Sequence, residues 1–269
     1  MTYPSATTVE RARVGAASTI NLPPPRERAA PVVGIGDVWQ RTIGLIAARW
    51  PVYGGLLLVA DLPIYLAALG RTGSAWRFPA SSAPLAYGLL SLAASVLMMI
   101  AHAALYLLVA NEAAGRSVSV GAAIGRALRR SPALLGMLIL LGFALIFGLA
   151  LLVVPGLIVI SMFAVAGPAC VVEGLGPIKS LSRSAELTKG ARWQVFGLLL
   201  VFYLVVPVLG RSIPFLCRLA LGPAFAQIVN LPLGALLGAL DAVAITILFL
   251  QLRAAREGVD VEQVARVFD

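Results

Sequence analysis

Three ionisable side chains sit inside long apolar runs: Asp61, His102 and Asp241. Charge is costly in hydrocarbon, so such groups turn toward a bundle interior or a water-filled path and pair with one another. Two carboxylates and an imidazole could take up and release a proton or a cation. His102 suits a relay, because histidine titrates near neutrality. Gln227 and Asn230 open the last apolar run, and Arg211 and Arg218 lie near the end of the run before it. Together these residues would suit a transporter or channel. The structural alternative pairs Asp61 with an outward arginine such as Arg211 and lets Asp241 cap or hydrogen-bond a neighbouring helix. Other chemistry finds less material. There is no nucleophile–base pair, metal-ligand spacing or phosphate-cradling loop, and Gly34-Ile35-Gly36 lacks a βαβ setting. No catalytic residue, metal site or cofactor is expected.

The elements that must position these groups are membrane spans. Residues 132–172 hold no charge at all, which is about twice the 20 residues that one helical crossing needs. Pro155-Gly156 stands near the middle, where a turn belongs. Lipid satisfies no backbone N–H or C=O, so the run must be helical. The 269 residues are 60% hydrophobic and 12% charged, with mean hydropathy +0.94. Soluble domains carry about 25% charged residues. The expected fold is all-α, a polytopic bundle of six transmembrane helices with short cytosolic amphipathic helices. The spans are placed at 44–69, 86–110, 132–154, 156–172, 194–210 (continuing brokenly to 222) and 228–252. Residues 1–36 form a disordered cytosolic arm, 37–253 the transmembrane domain and 254–269 a short cytosolic C-terminal helix.

Orientation follows from the basic residues. With the N-terminus inside, 17 of the 21 lysines and arginines fall in cytosolic segments. The net charge of +9 is thereby explained without nucleic acid, because it is spread over separate loops. The arm before residue 37 lacks the apolar stretch of a cleavable signal. Cys170 and Cys217 fall toward opposite faces, so no disulfide is expected between them.

Three inner segments read as surface helices. Val120, Ile124, Ala127 and Leu128 share one face, and Ser131-Pro132 is expected to start the next span as N-cap and first helical residue. In 177–190, Pro177 suits the first helical position and Gly190 the position after the cap. Ile178, Leu181 and Ala185 make the apolar stripe, with Arg183 and Glu186 an i,i+3 pair. After the sixth span, Val261, Val264, Ala265 and Phe268 recur at helical spacing. Glu173, Lys179, Arg183, Lys189, Arg192 and Trp193 form a candidate surface for anionic headgroups or a protein partner. The plainer reading makes them an elbow that turns the chain out of the bilayer and back. Gly234-x-x-x-Gly238 suits close helix packing, within the chain or in a homo-oligomer.

Pro155, Gly156, Phe163, Pro168, Glu173-Gly174, Pro177, Ser184, Leu187, Lys189-Gly190 and Trp193 follow a known order. On these residues the chain resembles the glycerophosphoryl diester phosphodiesterase membrane-domain family and related bacterial six-helix proteins of unknown function. Residues 38–63 also resemble that family's first span. The resemblance implies a membrane domain in a bacterial cytoplasmic (inner) membrane. In that family a separate soluble domain carries the hydrolysis, and the residues after 252 are too few for one. The expected role is thus a structural, lipid- or partner-interacting membrane protein without catalysis. The alternative is a transporter or channel using Asp61, His102 and Asp241.

Overall fold

The computed structural model describes residues 34–72, 83–151 and 153–257, and among these every element is helical. Helices α1 (Ile35–Thr72), α2 (Ala83–Ala113) and α3 (Val120–Leu151) precede a broken pair, α4 (Val153–Phe163) and α5 (Ala166–Val172). The short α6 (Pro177–Thr188) leads into α7 (Arg192–Leu200), a π turn (Val201–Val205) and α8 (Val206–Leu221). The long α9 (Pro223–Glu257) follows. Most of the expected arm and C-terminal helix lies outside the described residues.

Five stretches are long and apolar enough to cross a membrane: Ile35–Pro63, Leu85–Ala113, Val120–Ala150, Arg192–Leu221 and Phe225–Glu257. The span expected over 156–172 is a shorter apolar stretch, Gly156–Val172. It breaks at Ala164–Val165, and side chains of α6 occupy the break. Ser184 Oγ accepts from the Val165 N–H at 3.2 Å and donates to the Met162 carbonyl at 2.9 Å. Thr188 Oγ1 lies 2.9 Å from the Ser184 carbonyl and 3.2 Å from the Met162 carbonyl and donates to this pair. Backbone groups freed by the break thus find protein partners, as a low-dielectric setting demands.

This corrects the expected face of α6. Its buried side chains are Ser180, Ser184, Leu187 and Thr188, whereas Ile178 is exposed and Leu181 and Ala185 are half-buried. Hydroxyls face inward because they carry the hydrogen bonds of the broken helix. Pro177 does begin this helix, and Gly190 follows its cap with φ +88°.

Ser131-Pro132 is a second correction. It does not start a helix but lies inside α3. Proline removes the N–H that would bond the carbonyl four residues back, here Leu128. Ser131 Oγ supplies the missing donor to Leu128 O at 2.8 Å, so the helix continues. Pro207 acts similarly on Tyr203, whose carbonyl loses its α-helical donor. The π turn falls there, a local widening that inserts into otherwise regular helices. Arg49 leaves helical geometry (φ −126°, ψ 17°) two residues before Pro51, kinking α1.

The core is built around α9 and α2. Every side chain from Ala242 to Phe249 is buried, as are Leu105 and Val109 opposite. Helix α1 packs extensively along α9, and α3 packs on α2. The outward surface is the reverse of a water-soluble fold. Phe143, Ile146 and Phe147 on α3, and Leu216 and Leu219 on α8, all point out of the bundle. Apolar area of that extent needs a nonaqueous solvent or a partner. The chain has the character of a multi-pass membrane protein.

Candidate functional site

A cavity of about 790 Å³ opens between α1, α8 and α9. Asp61 and Tyr65 of α1 line it, with Arg211 and Arg218 of α8 and Gln227, Asn230 and Asp241 of α9. Phe202, Phe215, Leu233 and Leu237 supply apolar wall, and Tyr203 enters from the π turn. The volume falls within the range of small-ligand sites, about 300–1,000 Å³. Asp61 and Asp241, 180 positions apart in the chain, therefore share one space.

The small residues of α9 create the room. Gly234, Gly238 and Asp241 follow one another along a single helical face. A Cβ on Gly234 would stand 3.2 Å from the Tyr65 hydroxyl and 4.0 Å from Asp61 Oδ2. One on Gly238 would stand 3.0 Å from Leu57 Cδ1 and 3.9 Å from His102 Nε2. The glycine pair thus admits α1, α2 and their polar groups against α9, rather than forming a bare helix–helix seam.

His102 sits beside Gly238 on this face. Its Nδ1 lies 2.9 Å from the Met98 carbonyl, which can only accept, so Nδ1 carries the proton and donates. Nε2 is then an acceptor while the ring is neutral and a donor once it is protonated. Asp241 Oδ2 lies 3.4 Å from the Tyr203 hydroxyl, a long contact. Asp241 Oδ1 is shielded from solvent and has no hydrogen-bond partner among the described residues. The ring of Tyr106 lies over Gly167 of α5. Tyr65 bonds Asn230.

No ion pair joins Asp61 to Arg211, and none of the described residues pairs with either arginine of α8 within 4.0 Å. Arg211 is therefore not the partner of Asp61; the side chains of the outward Arg71 and Arg77 lie outside the described residues. The two guanidiniums of α8 lie two turns apart and both remain available to a ligand. Sequence reasoning missed Tyr65, Tyr106 and Tyr203. Their signal was a phenol placed well inside an apolar run, where a hydroxyl needs a partner.

The six elbow residues divide into two groups. Arg183 Nε lies 3.1 Å and 3.3 Å from the two oxygens of Glu173, and Nη2 lies 3.3 Å from Oε1. Glu257 also bonds Arg183, and Arg253 reaches Glu257 at 2.8 Å and Glu173 at 3.7 Å. Burial alone would lower the pKa of Arg183, but Glu173 and Glu257 outweigh it and push it above its ordinary value. Glu173 and Arg183 are thus tied into a lock between α5, α6 and α9, which corrects their expected availability to lipid. The Arg183–Glu186 pair is present but longer, at 3.6 Å. Lys179, Lys189 and Trp193 are exposed, and Arg192 is half-buried with its Nε unpartnered. Around this end, Arg130 donates to Gly174 O at 2.7 Å and Arg256 donates to Lys189 O. A further bridge joins Arg49 to Glu112 at 3.0 Å, and the Tyr53 hydroxyl donates to Glu112. Among the described residues no group of three His, Cys, Asp or Glu is placed to hold a metal ion.

A family model described as a domain of unknown function (DUF7847) matches residues 30–256. No curated protein and no solved structure matches the chain.

Proposed function

We propose, from the premise that the chain belongs to this family of unknown function, that it is a non-enzymatic membrane protein whose polar cavity binds a solute. Asp61, His102 and Asp241 act there as an exchangeable proton or cation site. One observation carries this reading: carboxylates from α1 and α9 line the same cavity, with His102 beside the glycine face that joins them. Groups that merely filled gaps in a bundle would be paired off, and among the described residues Asp241 Oδ1 is not. A π turn in the wall adds support, since such turns recur where a helix must present a side chain.

The basic end, with Lys179, Lys189, Arg192 and Arg256, faces the cytosol on the positive-inside argument. The cavity then opens in the outer half of the bilayer, and both termini lie inside. The pair α4–α5 makes the sixth crossing, broken where α6 plugs it. The bacterial inner membrane remains the proposed location, on the same resemblance that pointed to it. That resemblance, to the glycerophosphoryl diester phosphodiesterase membrane domain, rests on the α4–α7 segment and concerns its architecture.

Proteoliposomes with an internal pH-sensitive dye test the ion site. An imposed proton gradient should collapse faster with the wild type than with Asp241→Asn or His102→Gln. Equal rates in all three would defeat the proton role.

A second reading concerns the elbow. Ile178 and Trp193 are exposed beside Lys179 and Lys189. Aromatic and basic side chains together suit the headgroup layer, so this edge rests on anionic lipid.

A further inference from the structure

A polar cavity inside a membrane protein can take a dissolved solute or a lipid headgroup. The two differ in where the ligand enters and in what holds its apolar part. Helix α8 packs substantially only against α9 and the π turn that precedes it. Among the described residues, α8 and α1 do not pack substantially against each other, which leaves a flank between them. Tyr203 and Phe215 line the cavity and are largely exposed. A ligand entering across that flank comes from hydrocarbon, not from water.

The lining also has a definite charge pattern. Arg211 and Arg218 stand on α8 with no ion-pair partner among the described residues, and the carboxylates of Asp61 and Asp241 stand on α1 and α9. The arginines attract negative charge and the carboxylates positive charge. A molecule bearing both signs satisfies both. Guanidinium groups match the oxygens of phosphate in particular.

A third feature lies next door. A groove of about 490 Å³ runs between α3, α4 and α7, lined by Leu141, Leu157, Phe163, Phe196 and Leu200 among others. Its lining is apolar except for Tyr203, which it shares with the cavity. Polar space and apolar groove therefore meet at one side chain.

We propose that the occupant is a membrane lipid with a zwitterionic headgroup. Its phosphate lies against Arg211 and Arg218, its amine against Asp61 and Asp241, and one acyl chain lies in the groove beyond Tyr203. This rests on the reading of the cavity as a binding site and names its ligand class. A water-soluble glycerophosphoamine presents the same head, and the groove is what favours the lipid.

The test uses the full chain in mild detergent, with equal mole fractions of phosphatidylethanolamine and phosphatidylglycerol. Retained lipid is counted by native mass spectrometry. The wild type should keep the ethanolamine lipid over the glycerol lipid by about tenfold. Asp61→Asn with Asp241→Asn should bring that ratio close to one. Arg211→Gln with Arg218→Gln should lower retention of both lipids. Asp61→Asn alone, at a half-exposed position, should narrow the ratio about threefold and serves if the double variant misfolds. Glycerophosphoethanolamine in excess should displace little. If it displaces the lipid efficiently, the ligand is a soluble zwitterion: the lipid assignment falls and the cavity reading stands. A wild type that prefers phosphatidylglycerol, or retention that no variant changes, also overturns the proposal. The cavity reading itself fails separately, if its walls prove closed to water-soluble reagents.

Discussion

The lock at the elbow yields a prediction whose size can be worked out. Arg183 and Glu173 are 22% and 13% exposed and meet through three N–O contacts of 3.1–3.3 Å. Removing one partner of a buried pair costs about 3–5 kcal/mol, because the other charge is left stranded. Here the stranding is partial. Glu173 keeps Arg253 at 3.7 Å, and Arg183 keeps Glu257. Arg183→Gln or Glu173→Gln should therefore cost about 2 kcal/mol each. The double variant leaves neither charge and should cost about 2–3 kcal/mol instead of the additive 4, a coupling of about 1–2 kcal/mol. Glu186 is the internal control. It is 68% exposed at 3.6 Å, so Glu186→Gln should cost about 0.3 kcal/mol. Reversible unfolding in mixed micelles, titrated with sodium dodecyl sulfate and followed by tryptophan fluorescence, measures all four. A coupling below about 0.3 kcal/mol, or a Glu186 effect equal to that of Glu173, would refute the lock.

Other substitutions test the backbone repairs and the glycine face. Ser184→Ala leaves the Val165 N–H without its acceptor and should cost about 2 kcal/mol, read from the same unfolding titration. Ser131→Ala should cost about 1 kcal/mol in the wild type and almost nothing in a Pro132→Ala background, where the Leu128 carbonyl regains its backbone donor. On α9, Gly238→Ala should destabilise by about 1–2 kcal/mol, because Leu57 is fully buried 3.0 Å from the new methyl. Gly234→Ala borders the cavity and should be neutral or better in thermal melts, helix propensity offsetting its milder contact with Tyr65.

The helices were legible because their solvent imposes one rule on composition: residues 132–172 could hardly be anything else. Local rules failed where a side chain answered a distant backbone group. Ser131-Pro132 has the residue types of a helix start, and only the Ser131 hydroxyl over Leu128 shows otherwise. The buried face of α6 is shifted because Ser184 and Thr188 lie against the Met162 carbonyl, and Ser184 against the Val165 N–H, 19 to 26 residues away. Arg183 was matched with Glu186 at helical spacing, while its stronger partners, Glu173 and Glu257, lie across turns and helices. Asp61, His102 and Asp241 could be picked out singly, since each is costly in lipid. That Asp61 and Asp241 share a wall depends on how α1 and α9 pack, and no periodicity within either helix encodes that.

The central claim is a water-reachable cavity that holds Asp61 and Asp241 and opens away from the elbow. Single cysteines at Leu233 and Leu237, two lining positions, test it in a Cys217→Ser background, with Ile139→Cys on the outer face of α3 as the lipid-facing control. A membrane-impermeant maleimide added on the side opposite Lys189 should label both cavity positions and spare the control. Labelling no faster than at position 139, or only from the Lys189 side, would contradict the account.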